Sequence, residues 1–485
     1  MATESPPKYR DRISDLPDGV LGHVLSFLPT REAGRAAVLA RRWRDVFGHV
    51  HAVCFEERQG DRANDWYTVY SNAPERKSCS DALLNGVSAA LLCLRRCAGR
   101  NVPVRSLRFA FDSYHWWDGV HVDHWLHHLL DHCRQELHLD LCFAIDQICT
   151  RCPEFTDEVD GASEDDQLVD SYEARWTYLL PRRLFSCAVL RTLRLTNCRL
   201  KPPEAINLPS LETLHLTAIG IDSGRSVQRL IASCPRLQDL TLENVRRLKR
   251  VSVLDKRLRR FSLRCCHNVH HVSIDASELR SLEYCGHLPA ESLLHLHGSQ
   301  GIPSSCKVYF SKADYRMSKC VGFRMLFGKI ITPDTRLLHH GGSIERGPSA
   351  ELPLFCNMTR LALHKSTESY VFIVAIRWIL EQAPNLEVLS LNMEDDGRGD
   401  ASVGPATSFS IPCLRLSVRE INMVHYMGIE SQRILARLLL RNAMVLEKLC
   451  VSFPRGDSGS QAFHKSEIEN WASDNSEKIF IYFME

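Results

Sequence analysis

Apolar residues crowd the first fifty positions at helical spacing. Val20, Leu21, Val24, Leu25 and Leu28 fall at i, i+1, i+4, i+5 and i+8, a stripe wider than one packing face needs. Pro17 suits the first turn of this helix and Asp18 its positive dipole end. Pro29 stops the helix, Thr30 can cap a second, and Glu32 falls in the second helix's first turn. A third short helix carries Ala40 to Phe47 around Trp43. Helices this short and apolar either fold on a partner or present one face to it. The plain alternative is an amphipathic helical hairpin.

The period then changes. Segments built on L-x-x-L-x-L begin at Leu190, Leu211, Leu237, Leu258 and Leu279, spaced by 21, 26, 21 and 21 residues, within the ~20–29 of leucine-rich repeats. Each L-x-L pair alternates as a half-buried strand does, with leucines inward and the residue between them outward. Pro209, Pro235 and Pro384 stand two residues before strand-opening leucines. "SVQRLIASC", "YVFIVAIRWILEQA" and "ESQRILARLLLRNA" read as helices on the convex side. Weaker copies begin at Val104, Glu136, Met358 and Leu386, with a helix around Val122 to His132. One repeat cannot bury its own face, so several must stack. Insertions are expected near 154–173, 333–353 and 395–412; the first holds nine acidic residues and no Lys or Arg, as a solvated loop would.

The leading segment resembles an F-box, the three-helix module that docks on the Skp-type adaptor of cullin-based ubiquitin ligases. Leu16 and Pro17 match the family's opening Leu-Pro, and Val20, Leu21, Val24, Leu25 and Leu28 its first-helix aliphatics. Pro29 matches its mid-module proline, and Val38, Leu39, Arg42 and Trp43 its third-helix phrase. Gly22 and Gly34 stand where larger residues are usual, and each costs ~1 kcal/mol in a helix relative to Ala. The last stretch resembles the FBD segment that ends many plant F-box and leucine-rich-repeat proteins, on Leu416, Ile421, Leu438, Leu446 and Leu449. The expected fold is therefore α/β: a tail over 1–11, an all-α F-box over 12–52, a leucine-rich-repeat solenoid over 100–410 (a curved sheet with convex helices), and FBD-like repeats over 411–485.

Charge narrows the partners. Lys plus Arg number 60 against 58 Asp plus Glu, a balance that argues against nucleic acid or an anionic membrane, both of which demand a basic surface. No apolar run nears the ~20 residues of a bilayer span. The N-terminus has no signal-peptide pattern, and nineteen cysteines in such a chain point to buried free thiols in the cytosol or nucleus. His124, His128 and His132 share a helix face, but a ligand at i+8 lies ~12 Å along the axis, too far to share one zinc ion. "CTRC" at Cys149 to Cys152 has no second matching pair, and "RGD" at Arg398 to Asp400 is a chance match. No phosphate loop, dinucleotide fingerprint or nucleophile elbow is present.

The expectation is a non-catalytic receptor without cofactors. The resemblance implies that the F-box grips the adaptor and, through it, a cullin, while the solenoid holds a protein target for ubiquitination. Outward residues of the repeat strands form columns for that target: Arg194, His215, Thr241, Ser262 and Glu283, flanked by Asp239 and Arg260 on one side and by Glu243 and Arg264 on the other. The alternatives are a receptor for a small hormone-like molecule, which needs a deep apolar pocket with convergent basic groups, and an F-box scaffold outside any ligase.

Overall fold

A computed structural model describes residues 13, 15–56, 73–98, 104–111, 114, 118–143, 177–221, 224–245, 247–286, 293–298, 303–310, 355, 357–364, 376–377, 379–393, 411–454, 458–473 and 480–484. The tail over 1–11, the acidic insertion over 154–173, the insertion over 333–353, nearly all of that over 395–412, "CTRC" and "RGD" lie outside the described residues. A helical N-terminal module is followed by a strand-rich repeat region, and the chain divides into two compact units that split within the repeats rather than after the helical module.

The first unit takes residues 1–146 and 163–222, with 232–236. It opens with helices α1 (Asp18–Leu25), α2 (Thr30–Leu39) and α3 (Arg41–Phe47), then strand β1 (Ala52–Glu56) and helix α4 (Ala73–Ala98). Next come β2 (Ser106–Phe111), α5 (Gly119–His132), β3 (Leu137–Phe143), β4 (Tyr178–Leu179), β5 (Leu190–Thr196), β6 (Cys198–Leu200), β7 (Thr213–Thr217) and β8 (Gly220–Ile221). The long strands run parallel in the order β1-β2-β3-β5-β7, and β4-β6-β8 make a small second sheet. Alternation dictates this: β3 reads LHLDLCF, with every leucine and Phe143 buried and every residue between them half-exposed. Helix α4, and strand β1 beyond Ala52, fall outside the 12–52 and 100–410 boundaries expected from sequence. Both pack against the helical module, α4 lying on α2, α3 and β1.

The second unit takes residues 237–485, with 147–162 and 223–231. It contains α6 (Gly224–Ala232), β9 (Asp239–Glu243), β10 (Arg250–Val253), β11 (Arg260–Arg264), β12 (His271–Asp275), β13 (Ser281–Gly286), β14 (Leu294–His297), β15 (Ser305–Phe310), β16 (Arg360–His364) and β17 (Val388–Asn392). It continues through α7 (Pro412–Leu416), β18 (Glu420–Val424), α8 (Glu430–Asn442), β19 (Lys448–Ser452), α9 (Ser458–Ser473) and β20 (Phe480–Met484). Nine parallel strands follow the order β9-β11-β13-β15-β16-β17-β18-β19-β20, with β10-β12-β14 as a separate sheet. Strands β15 and β16 pair directly, Ser305 beside Arg360, across nearly fifty residues of chain.

One device closes several rungs. The residue just after β5, β7, β9, β11 and β18 sits in the left-handed region: Asn197, Ala218, Asn244, Cys265 and His425, with φ from 48° to 56°. The amide of the left-handed residue itself reaches the following rung; Asn197 donates to the Thr217 carbonyl at 3.0 Å and Asn244 to that of Arg264 at 2.9 Å. Asn tolerates this backbone readily, whereas Ala and Cys incur a cost of ~1–2 kcal/mol.

The C-terminal repeats close on a buried amide. Gln432 on α8 accepts from the Met427 and Gly428 amides at 2.7 and 3.0 Å and donates to the Met393 carbonyl at 2.8 Å. Ile421, Leu446 and Leu449 join the core as their pattern requires, but Leu416 ends the five-residue α7 exposed and Leu438 is half-exposed. Replacing Gln432 with Leu strands three backbone groups, so urea unfolding is expected to show a loss of about 2–4 kcal/mol.

Candidate functional site

Helix α1 divides its aliphatic residues between two faces. Leu21 and Leu25 are 1% and 3% exposed, buried as are Ala33, Val46, Phe47 and Val50, and α1 packs on α3. Leu16, Pro17, Val20, Val24, Leu28 and Pro29 face outward, as does Val38 on α2. Leu21 and Leu25, expected at the adaptor contact, thus build the module's own core, because a three-helix unit needs an inner seam. Phe27, which sequence reasoning missed, is 75% exposed and meets the His23 ring edge-on at 4.9 Å. Its signal was an aromatic residue just past the helix end, inside the aliphatic run and next to Leu28. Trp43 is half-buried, and Leu39 ends α2 with its side chain outside the described residues.

Arg42, expected at the adaptor contact, is exposed and has partners within the module. Its guanidinium donates to Asp18 at 2.8 Å and to the Leu16 carbonyl, so it braces α3 against the start of α1. The pair is solvent-exposed and contributes under ~1 kcal/mol, yet it sets where the Leu-Pro opening lies. Helix α1 begins at Asp18 with Pro17 as the flanking residue, whose carbonyl accepts from Val20 and Leu21. The first helix ends at Leu25 and Pro29 flanks the second, so Thr30 is its first helical residue and not a cap. Instead the buried Thr30 hydroxyl accepts the Cys54 amide at 2.7 Å, tying α2 to β1.

Gly22 has a packing reason. A Cβ there would stand 2.4 Å from that of His49 and 2.9 Å from its backbone, so α1 crosses the α3–β1 connection where only glycine fits. Gly34 has nothing within 4 Å of an added Cβ. Beside Gly22, Ser26 donates to the Gly22 carbonyl at 2.8 Å and accepts the His51 amide at 3.0 Å. His23 and His51 share a 2.8 Å ring contact, and the His51 pKa is held below its ordinary 6.5 by burial first, then by His23 and Arg105.

The repeat strands set the outward columns in register within each unit. Arg194 stands beside His215 in the first; in the second, Thr241 neighbours Ser262, and Ser262 neighbours Glu283. Several of these side chains engage one another. Arg260 pairs with Asp239, Arg264 lies 3.3 Å from Glu243 and 3.9 Å from Glu283, and Ser262 donates to Glu283 at 3.1 Å. Asp239 and Glu243 are buried, 9% and 8% exposed. The expectation that they meet a target is corrected: they anchor arginines across the sheet.

Other candidate chemistry sits on α4 and α5. His124 is exposed, while His128 and His132 are half-buried with ring centroids 4.4 Å apart, and burial lowers the His128 pKa, helped by His132 and Arg95. A cavity of about 170 Å³ lies there, lined by Ser88, Leu91, Leu92, Arg95, His124, Trp125 and His128, below the ~300–1,000 Å³ of sites that enclose small ligands. Burial pushes the Cys306 and Cys413 thiols up to about 12, which keeps both protonated and poorly nucleophilic. Among the described residues no group of three or more His, Cys, Asp or Glu could hold a metal ion, and no helix is long and apolar enough to cross a membrane.

The family model for the F-box domain matches residues 13–51, the span of these three helices. A second, for the leucine-rich repeats of an FBD-associated F-box protein, matches residues 164–295. The chain is an F-box followed by leucine-rich repeats. It is 26% identical to the F-box/LRR-repeat protein At3g59200 of Arabidopsis thaliana over 414 residues, covering 79% of this chain and 69% of the relative. With the FBD-associated F-box protein At5g60610 of the same plant, identity is 22% across 91% of this chain and 100% of the relative. With the putative F-box/FBD/LRR-repeat protein At5g62970, also of Arabidopsis, 28% identity spans about half of each chain, 49% in both cases. The likeness thus reaches from the F-box through the repeats at low identity.

Two tests follow from the packing. Gly34→Ala is expected to stabilise the F-box by about 1 kcal/mol through helix propensity alone. Gly22→Ala is expected to destabilise it by about 1–3 kcal/mol, because the His49 contact outweighs that gain; paired urea titrations read both signs. For His51, the unfolded chain takes up a proton near 6.5 while the folded ring resists it. Stability is therefore complete above 6.5 and falls as pH drops below it, and His51→Gln should flatten, without abolishing, that slope in denaturation midpoints measured from pH 7.5 to about 5.5.

Proposed function

We propose that this protein is the substrate-recognition subunit of an SCF-type ubiquitin ligase. F-box domains generally bind Skp1-type adaptors, and F-box/LRR proteins are generally non-catalytic adaptors. The observation that carries the reading is the second apolar face of the F-box: Leu16, Val20, Val24, Phe27 and Leu28 stay exposed while Leu21 and Leu25 complete the inner core. Burying each outward side chain gains ~1.5–3 kcal/mol before association entropy is subtracted, enough for a tight, reversible grip on the adaptor. The adaptor in turn joins a cullin, and the repeats hold the target so that its lysines meet activated ubiquitin. Tethering makes that transfer nearly intramolecular, and no group on this chain takes part in the chemistry. The same reading places the protein in the cytosol or nucleus and requires no cofactor.

The test separates the two faces. Val24→Asp with Phe27→Asp is expected to weaken adaptor capture at least about 100-fold, some 2.7 kcal/mol, with an unchanged unfolding midpoint. Leu21→Ala is expected to lower stability by about 2–5 kcal/mol. Undiminished co-purification of the double aspartate variant with a Skp-type adaptor, or adaptor capture without a cullin in the same pull-down, overturns the ligase reading.

A further inference from the structure

The charges on the second unit's sheet are unevenly distributed. On β9 to β13 the anions Asp239, Glu243 and Glu283 are already engaged by Arg260, Arg264 and Ser262. Arg257 pairs with Glu278 at 3.0 Å. Farther along, Arg419 is paired with Glu447 and Lys448 lies 3.3 Å from Glu420. Arg259 and Arg280, just before β11 and β13, and Arg360, at the start of β16, are exposed, and none makes an ion pair or side-chain hydrogen bond among the described residues.

Their placement follows from the repeat. Arg259 and Arg280 each precede the first residue of a strand, and the Arg280 amide donates to the Arg259 carbonyl at 2.9 Å, so they occupy adjacent rungs. Ser304 holds the equivalent place before β15, its hydroxyl donating to the Arg280 carbonyl at 2.9 Å. Thr359 holds it before β16, its hydroxyl donating to the Ser304 carbonyl at 3.2 Å, and Arg360 follows as the first residue of β16. Lys307 on β15 adds a fourth exposed cation; Glu283 stands across from it, with its carboxylate turned toward Ser262 and Arg264. Like charges on neighbouring rungs repel and destabilise the sheet, and nothing in the packing needs these guanidiniums, since the leucines beneath build the core.

We infer that this row is the docking surface for a carboxylate-rich segment of a protein partner. The inference deepens the receptor reading, on which its biological sense rests, by naming the chemical class of the target. From β11 to β16 is three strand spacings, about 14 Å. An extended chain presents residues i, i+2 and i+4 on one face across about 13 Å, so acidic residues at alternate positions meet the three arginines in turn. Guanidinium forks suit carboxylates geometrically. Asp239, Glu243 and Glu283 do not compete, because each is engaged by its own arginine or serine; Glu387, at the equivalent place before β17, stands one rung beyond Thr359.

The experiment uses the full chain and a fluorescein-labelled peptide of alternating Glu and Ser with five Glu, read by fluorescence anisotropy. The wild-type chain binds it, the affinity falls steeply with salt, and the matching Gln-Ser peptide does not bind. Arg259→Ala, Arg280→Ala and Arg360→Ala together weaken binding about tenfold or more, the sum expected of three solvent-exposed ion pairs. These exposed side chains are not part of the core, so the thermal midpoint holds or rises; should the triple variant fail to fold, Arg280→Gln alone is expected to weaken binding about threefold. Absence of binding at low salt, or equal binding by wild type and variants, overturns the inference. So does a single-stranded oligonucleotide of equal charge that binds more tightly through the same arginines. Adaptor capture is measured in parallel: its loss in the wild-type chain strikes the ligase reading alone, while its retention in the triple variant shows that the peptide effect belongs to the repeats.

Discussion

The structure depends on an eight-residue helix that has to be apolar on two sides. Helix α1 gives Leu21 and Leu25 to an inner seam and keeps Val20 and Val24 outside. The inner pair holds only because the helix can come close to the α3–β1 connection, which Gly22 allows by leaving no side chain opposite His49. Two such residues cannot fold three short helices alone; Ala33, Val46, Phe47 and Val50 add to the core, and α4 and β1 pack against α2. The docking module and the first strand of the repeat sheet are therefore one packed body. The Thr30 hydroxyl on the Cys54 amide is the polar seal between them.

This coupling separates holding from touching. Arg42 carries a charge at a position where an interface residue was expected, yet it satisfies Asp18 and the Leu16 carbonyl and so fixes the chain at the start of α1. Asp239 and Glu243 do the same for the repeats, each orienting an arginine across a rung. Residues available to a partner are those left over once such internal obligations are met: aliphatic and aromatic on the F-box, cationic on the middle rungs of the second unit.

Much of this was legible in the sequence. The L-x-L alternation located β5, β7, β9, β11 and β13 and their register, because a two-residue period leaves one way to bury the leucines. Helices α5, α6 and α8 followed from their apolar spacing. Helix α4 was missed, since its window from Ala73 mixes charged and small residues and its apolar positions show only against α2 and α3. The inward turn of Leu21 and Leu25 was not legible for a related reason: a stripe of five aliphatics does not say which of them face inward, and that is settled by the neighbouring helix. Phe27 lies within the run but off its repeating positions, so the periodicity did not single it out.

The pairing of Ser305 with Arg360 has a wider consequence. The lattice of rungs is held by backbone bonds and by the left-handed residue after several of its strands, neither of which depends on how much chain lies between one strand and the next. Loop-closure entropy grows only logarithmically with length, so the connections can lengthen or be exchanged at little thermodynamic cost. The scaffold thus behaves as a spine on which new segments can be grafted at the connections while the rungs stay in place.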